Sequence, residues 1–118
     1  MKLNLKYNAT KIDEIEKATG RPIEQVINDT RIGNVTLLIQ KGLIDDNGVH
    51  GVTKATAIDN IDKYLEESDL DNLVLDITEA LVDGGFLSRQ LNVEKMREAL
   101  KKTKEQVNVQ LDKVIANK

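Results

Sequence analysis

Cysteine is absent from the 118-residue chain, and that single absence excludes disulfides, thiolate metal sites and cysteine nucleophiles together. The fold must be held by its own core, and a reducing compartment suits it. Histidine occurs once, as His50, so no histidine pair exists to found an ordinary zinc site. The aromatic residues are Tyr7, Tyr64 and Phe86. The plentiful carboxylates therefore lack the concave aromatic pocket that would turn them toward acid-base work, and they read as solubilising. No run of 18 apolar residues is present, which excludes a conventional membrane-spanning helix. Met1-Lys2-Leu3-Asn4-Leu5-Lys6 is not followed by the apolar stretch that a secretory signal needs. The expectation is a protein that stays in the cytoplasm where it is made, with no membrane partner.

Apolar residues make up 40% of the chain and charged residues 31%, too rich in core-forming side chains for a disordered polymer. One compact domain of this length buries enough surface to fold unaided. Charge is informative by position. Residues 1–44 carry seven basic and five acidic side chains, and residues 45–83 carry eleven acids against Lys54 and Lys63. Residues 84–118 carry eight basic and four acidic side chains. The acidic middle suits a solvated face, and the basic end can meet an acidic partner or fold back on that middle.

Leu3, Leu5 and Tyr7 alternate with Lys2, Asn4 and Lys6, the period-two pattern of a short half-buried strand within residues 1–8. Thr10 is placed to cap a helix carrying Ile12, Ile15 and Ala18, with Gly20 to end it. Pro22 fits the first position of a second helical segment with Ile23, Val26 and Ile27 on one face. A third helix spans about Arg31 to Lys41 with Ile32, Val35, Leu38 and Ile39 as its stripe and Gly42 as its stop. The run Asp45-Asp46-Asn47-Gly48-Val49-His50-Gly51 is the strong loop signal of the chain.

After that loop, Thr53 caps a helix that turns Ala57, Ile58, Ile61, Tyr64 and Leu65 inward. Ser68 with Asp71 suggests a short-armed capping box ahead of Leu70, Leu73, Val74, Ile77, Ala80 and Leu81, and Gly84-Gly85 ends that helix. Phe86 and Leu87 are placed to fold back onto its last turn. From Asn92 onward Val93, Leu100, Val107 and Val114 recur every seven residues, with Met96 and Leu111 beside them and Thr103 and Gln110 interrupting the seam. That stripe suits one long amphipathic helix, either packed on the body or offered to a partner.

The expected fold is thus mainly α: a small single-domain bundle of five to six helices with a short N-terminal strand and a long amphipathic C-terminal helix. Residues 1–90 form the helical domain, with the strand at 1–8, and residues 91–118 the basic helix.

Catalytic equipment is missing from this reading. Ser68 and Ser88 are explained as cap or turn residues, and His50 as an exposed loop imidazole. A calcium loop fails in both registers, because Leu43 or Ala57 falls on a ligand position. A phosphate loop fails because Gly84-Gly85 is followed by Phe86-Leu87-Ser88. No catalytic residue, metal ligand or cofactor is assigned. Nucleic acid is not an expected partner: the candidate reading helix, Thr53 to Glu67, sets Lys54 and Lys63 against Asp59, Asp62, Glu66 and Glu67 and has no arginine.

The order of landmarks resembles the tail assembly chaperones of long-tailed phages and prophages of Gram-positive bacteria. The resemblance runs through Ile15-Glu16-Lys17-Ala18-Thr19-Gly20-Arg21-Pro22-Ile23, Gly42-Leu43, Val52-Thr53 with Ala57, and Ile61-Asp62-Lys63-Tyr64-Leu65. Ile77, Glu79-Ala80-Leu81 and Gly85-Phe86-Leu87 complete it, so that it covers roughly residues 10–90. It implies a non-enzymatic helical protein of the infected host's cytoplasm that binds the tape measure protein and helps tail tube protein subunits polymerise around it. It also implies a second, longer product made by ribosomal frameshifting. Val93, Met96, Leu100, Val107, Leu111 and Val114 are the candidate partner-binding surface. A homo-oligomer formed through the same seam, serving a structural or regulatory role, is the competing expectation.

Overall fold

The computed structural model describes residues 2–88 and 92–103. The fold is mainly α: α1 (Ala9–Thr19), α2 (Ile23–Val26), α3 (Ile32–Gly42), α4 (Lys54–Glu67) and α5 (Leu70–Asp83) are followed by α6 over residues 93–103. Helix α3 lies at the centre, packed against α1, α4 and α5. Among the described residues the largest fully buried side chains are Ile15, Val26, Val35, Leu38, Ile39, Leu73, Ile77 and Leu81; Val35, Leu38 and Ile39 of α3 and Leu73, Ile77 and Leu81 of α5 fall at the three- and four-residue spacing of one helix face.

The N-terminal strand expected at residues 1–8 does not form. Among the described residues there are only isolated antiparallel bridges, Leu5 to Leu43 and Ile44 to His50. The Lys6 amide donates to the Gly42 carbonyl at 2.8 Å and the Ile44 amide to the Asn4 carbonyl at 2.9 Å. The partner segment leaves α3 and enters a turn at once, while α1 begins at Ala9, so the ladder has no room to lengthen. Alternation nevertheless decides burial, since Leu3 and Tyr7 are buried while Lys2, Asn4 and Lys6 are exposed.

Helix starts fall one or two residues from their expected places. Asn8, not Thr10, caps α1, its side chain accepting the Lys11 amide at 2.9 Å. Pro22 is the cap of α2 and not its first helical residue. Asp69 caps α5 by accepting the Asn72 amide at 2.9 Å, whereas Ser68 closes α4. Thr53 caps α4 as expected, accepting the Thr56 amide at 3.2 Å. In each case the capping oxygen belongs to the last residue in extended backbone before the first helical turn.

Two glycines near helix ends have different causes. Gly20 ends α1 in the left-handed region, φ 68°, and its amide reaches the Glu16 carbonyl at 2.8 Å. Gly42 is instead the last helical residue of α3, and the Tyr7 ring occupies the space a Cβ would fill. The Tyr7 hydroxyl donates to the Leu38 carbonyl at 2.7 Å inside the core, and burial pushes the phenol pKa above its ordinary value. Close approach, and not a special torsion, is what Gly42 supplies.

Apolar stripes are narrower than the sequence suggests on α4, where Ala57, Ile61 and Tyr64 are buried while Ile58 and Leu65 are exposed. Ile32 of α3 is also exposed. Phe86 and Leu87 fold back as expected, the Phe86 amide donating to the Leu81 carbonyl at 2.9 Å.

Asp29 joins α2 to α3. Its carboxylate takes Arg31 Nη2 at 2.6 Å and Arg21 Nη2 at 2.9 Å, and Asn34 Nδ2 donates to its backbone carbonyl at 2.8 Å. Hydrogen bonds from Arg31, then from Arg21, hold the Asp29 carboxyl well below the usual carboxylate range. A lowered folded pKa gives stability that is complete above the unfolded value, about 3.9, and is lost as pH falls through the folded value. Asp29→Asn is expected to be less stable than the parent at neutral pH and to lose stability less steeply below about pH 4, where the unfolded carboxyl titrates. Urea midpoints measured from pH 7 to pH 2.5 check this; parallel curves for the two proteins would assign the acid limb to other carboxylates.

Candidate functional site

Helix α5 is apolar over more than one face. Leu73, Ile77 and Leu81 enter the core, while Leu75 and Thr78 are buried on a second side. That second side is where α6 lies. Asn92 starts α6, its side chain accepting the Lys95 amide at 3.0 Å, and Val93 is buried in the body. Arg97 then ties α6 to α5 by donating to Asp76 Oδ1 and, at 2.9 Å, to Glu79 Oε2. The Tyr64 hydroxyl donates to the other Asp76 oxygen at 2.7 Å, so one carboxylate joins α4, α5 and α6. Burial first, and then the neighbouring Asp76, push the Tyr64 phenol up to about 12. Burial works against the Arg97 charge, but the hydrogen bonds and charges of Asp76 and Glu79 outweigh it and raise its pKa.

Between α2, α5 and α6 lies a groove of about 430 Å³. Ile27, Val74, Leu75, Leu87 and Met96 give it an apolar wall, and Glu24, Asn28 and Ser88 add polar groups. Thr78 also lines it, its hydroxyl committed to the Val74 carbonyl at 2.8 Å. Met96 is 40% exposed, an unbranched and adaptable side chain at the mouth of an apolar channel, the kind of surface that accommodates varied apolar partners.

The candidate partner-binding residues therefore separate. Val93 is buried and anchors α6, Met96 lines the groove, and Leu100 is half-buried. Val107, Leu111 and Val114 lie outside the described residues. The sequence reading missed Ile27, Leu75 and Leu87 as groove residues. The available signal was the width of the apolar arc on α5, where Leu70, Leu73, Val74, Leu75, Ile77, Ala80, Leu81 and Val82 exceed what one core face uses.

Comparison with known proteins adds no neighbour: no protein-family model, no curated protein and no solved structure matches the chain significantly. Among the described residues, no helix is long and apolar enough to cross a membrane, and no group of three or more His, Asp or Glu side chains is arranged to hold a metal ion.

Proposed function

We propose that the protein works by binding and not by catalysis, as a phage tail assembly chaperone that holds the tape measure protein and favours tail tube protein assembly around it in the host cytoplasm. The observation that supports this reading most is the apolar groove with Met96 at its mouth. Helix α6 forms one wall of the groove through Met96 and is itself held on α5 by Arg97 with Asp76 and Glu79, so that an apolar side chain of an incoming helix would meet Ile27, Val74, Leu75 and Leu87. A tape measure protein, long and helical, offers repeated segments of that kind. The resemblance over residues 10–90 suggests the client, and an apolar groove is the kind of surface such a contact uses.

Co-expression with the tape measure protein tests the reading. The full chain is expected to keep the client soluble and to co-purify with it, and Met96→Glu, a change at an exposed position, is expected to weaken capture by at least about tenfold, the scale of 1.4 kcal/mol. No capture by the full chain would overturn the chaperone reading. Capture untouched by Met96→Glu would move the contact away from the groove. A stable homodimer that ignores the tape measure protein would favour self-association as the purpose of this surface.

A further inference from the structure

Two lysines of neighbouring helices are half-buried beside one another. The side chains of Lys11 on α1 and Lys41 on α3 are 22% and 25% exposed, their aliphatic stems covered by the body. Both ammonium groups approach one carboxylate: each Nζ is 3.5 Å from Glu14 Oε2, close enough for charge attraction and longer than a well-formed hydrogen bond. That oxygen is sealed from water and accepts no hydrogen bond. Burial disfavours the charge on Glu14, but Lys41 and then Lys11 outweigh it and keep the carboxyl below its ordinary range. Two positive charges thus share one negative charge, with ammonium donors still to be used.

Both lysines line a cleft of about 590 Å³ between α1, the end of α3, the loop after it and the start of α4. Gln40, His50, Gly51, Thr53 and Thr56 complete most of the lining. His50, expected to be an exposed loop residue, is half-buried, and its Nδ1 is cut off from water with no hydrogen-bond partner. Gly51 adopts φ 89°, a torsion that favours glycine, and it brings the loop against Lys11, whose Nζ would lie 3.2 Å from a Cβ at that position. The acid of the lining, Asp45, is exposed, accepts the Asn47 and Val49 amides on Oδ1 at 2.9 Å each, and forms no ion pair with either lysine. Thr53 is committed, accepting the Thr56 amide at 3.2 Å and donating its hydroxyl to Thr56 Oγ1 at 3.0 Å; the first turn of α4 carries no acidic side chain, so the amino end of this 14-residue helix adds positive potential beside the Thr56 hydroxyl.

We propose that this cleft binds a small phosphate ester, with the phosphate seated between Lys11, Lys41 and the Thr53–Thr56 turn. The phosphate dianion meets the two ammonium groups, which share only the Glu14 carboxylate as an ion-pair partner, and its three terminal oxygens match donors of several kinds: two ammonium groups, the Thr56 hydroxyl and an imidazole. A carboxylate would offer two oxygens and duplicate Glu14. The volume falls in the range of small-molecule sites and leaves room beyond the phosphate for an organic body of sugar size. This site lies apart from the α2–α5–α6 groove, with which it shares no lining residue.

Amide NMR on the full chain, titrated in low-salt buffer with inorganic phosphate, with a hexose phosphate and with the unphosphorylated hexose, tests the proposal. Saturable shifts are expected at Gly51 and Thr53 to Thr56 with the first two ligands and none with the third. The ester is expected to bind more tightly than phosphate alone. Lys41→Gln and Lys11→Gln are each expected to raise Kd by about tenfold, the weight of one charge-assisted contact. Thr56→Val, at an exposed position that cannot endanger the core, is expected to raise it severalfold, and Lys63→Gln, about two turns further along α4 and outside the cleft lining, to leave it unchanged. Unsaturated shifts spread over surface lysines, or Kd values unmoved in the cleft variants, would overturn the site. Phosphate bound no more weakly than its ester would overturn the ester assignment and leave an inorganic anion.

Discussion

Gly42→Ala is expected to destabilise the protein by about 1–3 kcal/mol, the usual result of adding a carbon to a filled core. No rearrangement of the glycine itself relieves the clash, because the obstacle is the Tyr7 ring and the helix backbone is already regular. Tyr7 cannot retreat cheaply either. It is 3% exposed, and its hydroxyl is fixed on the Leu38 carbonyl; moving it leaves a buried phenol without an acceptor, a penalty of about 1–3 kcal/mol in its own right. Gly33→Ala, in the same helix, is the contrasting variant. Nothing lies within 4 Å of its missing Cβ, and its φ is not positive, so the exchange is expected to stabilise by up to about 1 kcal/mol through helix propensity and a less entropic unfolded chain. Thermal melts of the two variants should move in opposite directions. Equal shifts would mean that the Tyr7 contact does not constrain α3.

A second large effect is expected at Leu73. This side chain is fully buried on α5, and Leu73→Ala removes its transfer free energy and leaves a cavity, together about 2–5 kcal/mol. Leu65→Ala on α4 is expected to change stability by no more than about 0.5 kcal/mol, because Leu65 is an exposed surface residue. Urea denaturation at constant m-value compares them directly. A loss at Leu65 approaching that at Leu73 would show that its surface is covered in solution, by a second copy or another segment.

That pair also shows what periodicity can and cannot give. Leu65 and Leu73 are the same residue type on consecutive helices, and both satisfy the spacing of an inward stripe. Spacing fixes which side of a helix is apolar, but the width of the stripe that is covered depends on neighbours that no local window contains. Helix existence is legible for every element from α1 to α5 because breakers stand between them: Gly20 with Pro22, Asn28-Asp29, the Asp45–Gly51 loop, and the Ser68-Asp69 junction. Cap identity was less legible, since Asn8 and Thr10, or Ser68 and Asp69, offer competing side-chain oxygens within two residues and differ only in backbone torsion. The strand expected at the N-terminus had the right alternation but lacked a partner long enough to pair with. Of the groove, Val74 and Met96 were visible as apolar positions; that Ile27 and Leu87 meet them is a consequence of the folded-back turn at Phe86 and of α2 lying opposite. The lysine cleft was invisible for a related reason: Lys11, Lys41 and His50 are far apart in sequence, and each alone reads as solvated charge.

The tie between Leu5 and Leu43 bears on the order in which the molecule can assemble. Residues 2–5 also line a shallow cleft with Asp76, Glu79, Ala80 and Asp83 of α5, so this segment is placed by the middle of the chain and by its fifth helix. Contacts of such sequence separation are reached only after long loops close, and the entropy of closing them opposes their early formation. Helices α1, α3, α4 and α5 can each begin from local hydrogen bonds; residues 2–7 cannot find a seat until Gly42 and α5 are both in place. A segment that precedes α1 in the chain therefore docks after helices that follow it, and until it docks, the Tyr7 side of α3 stands open.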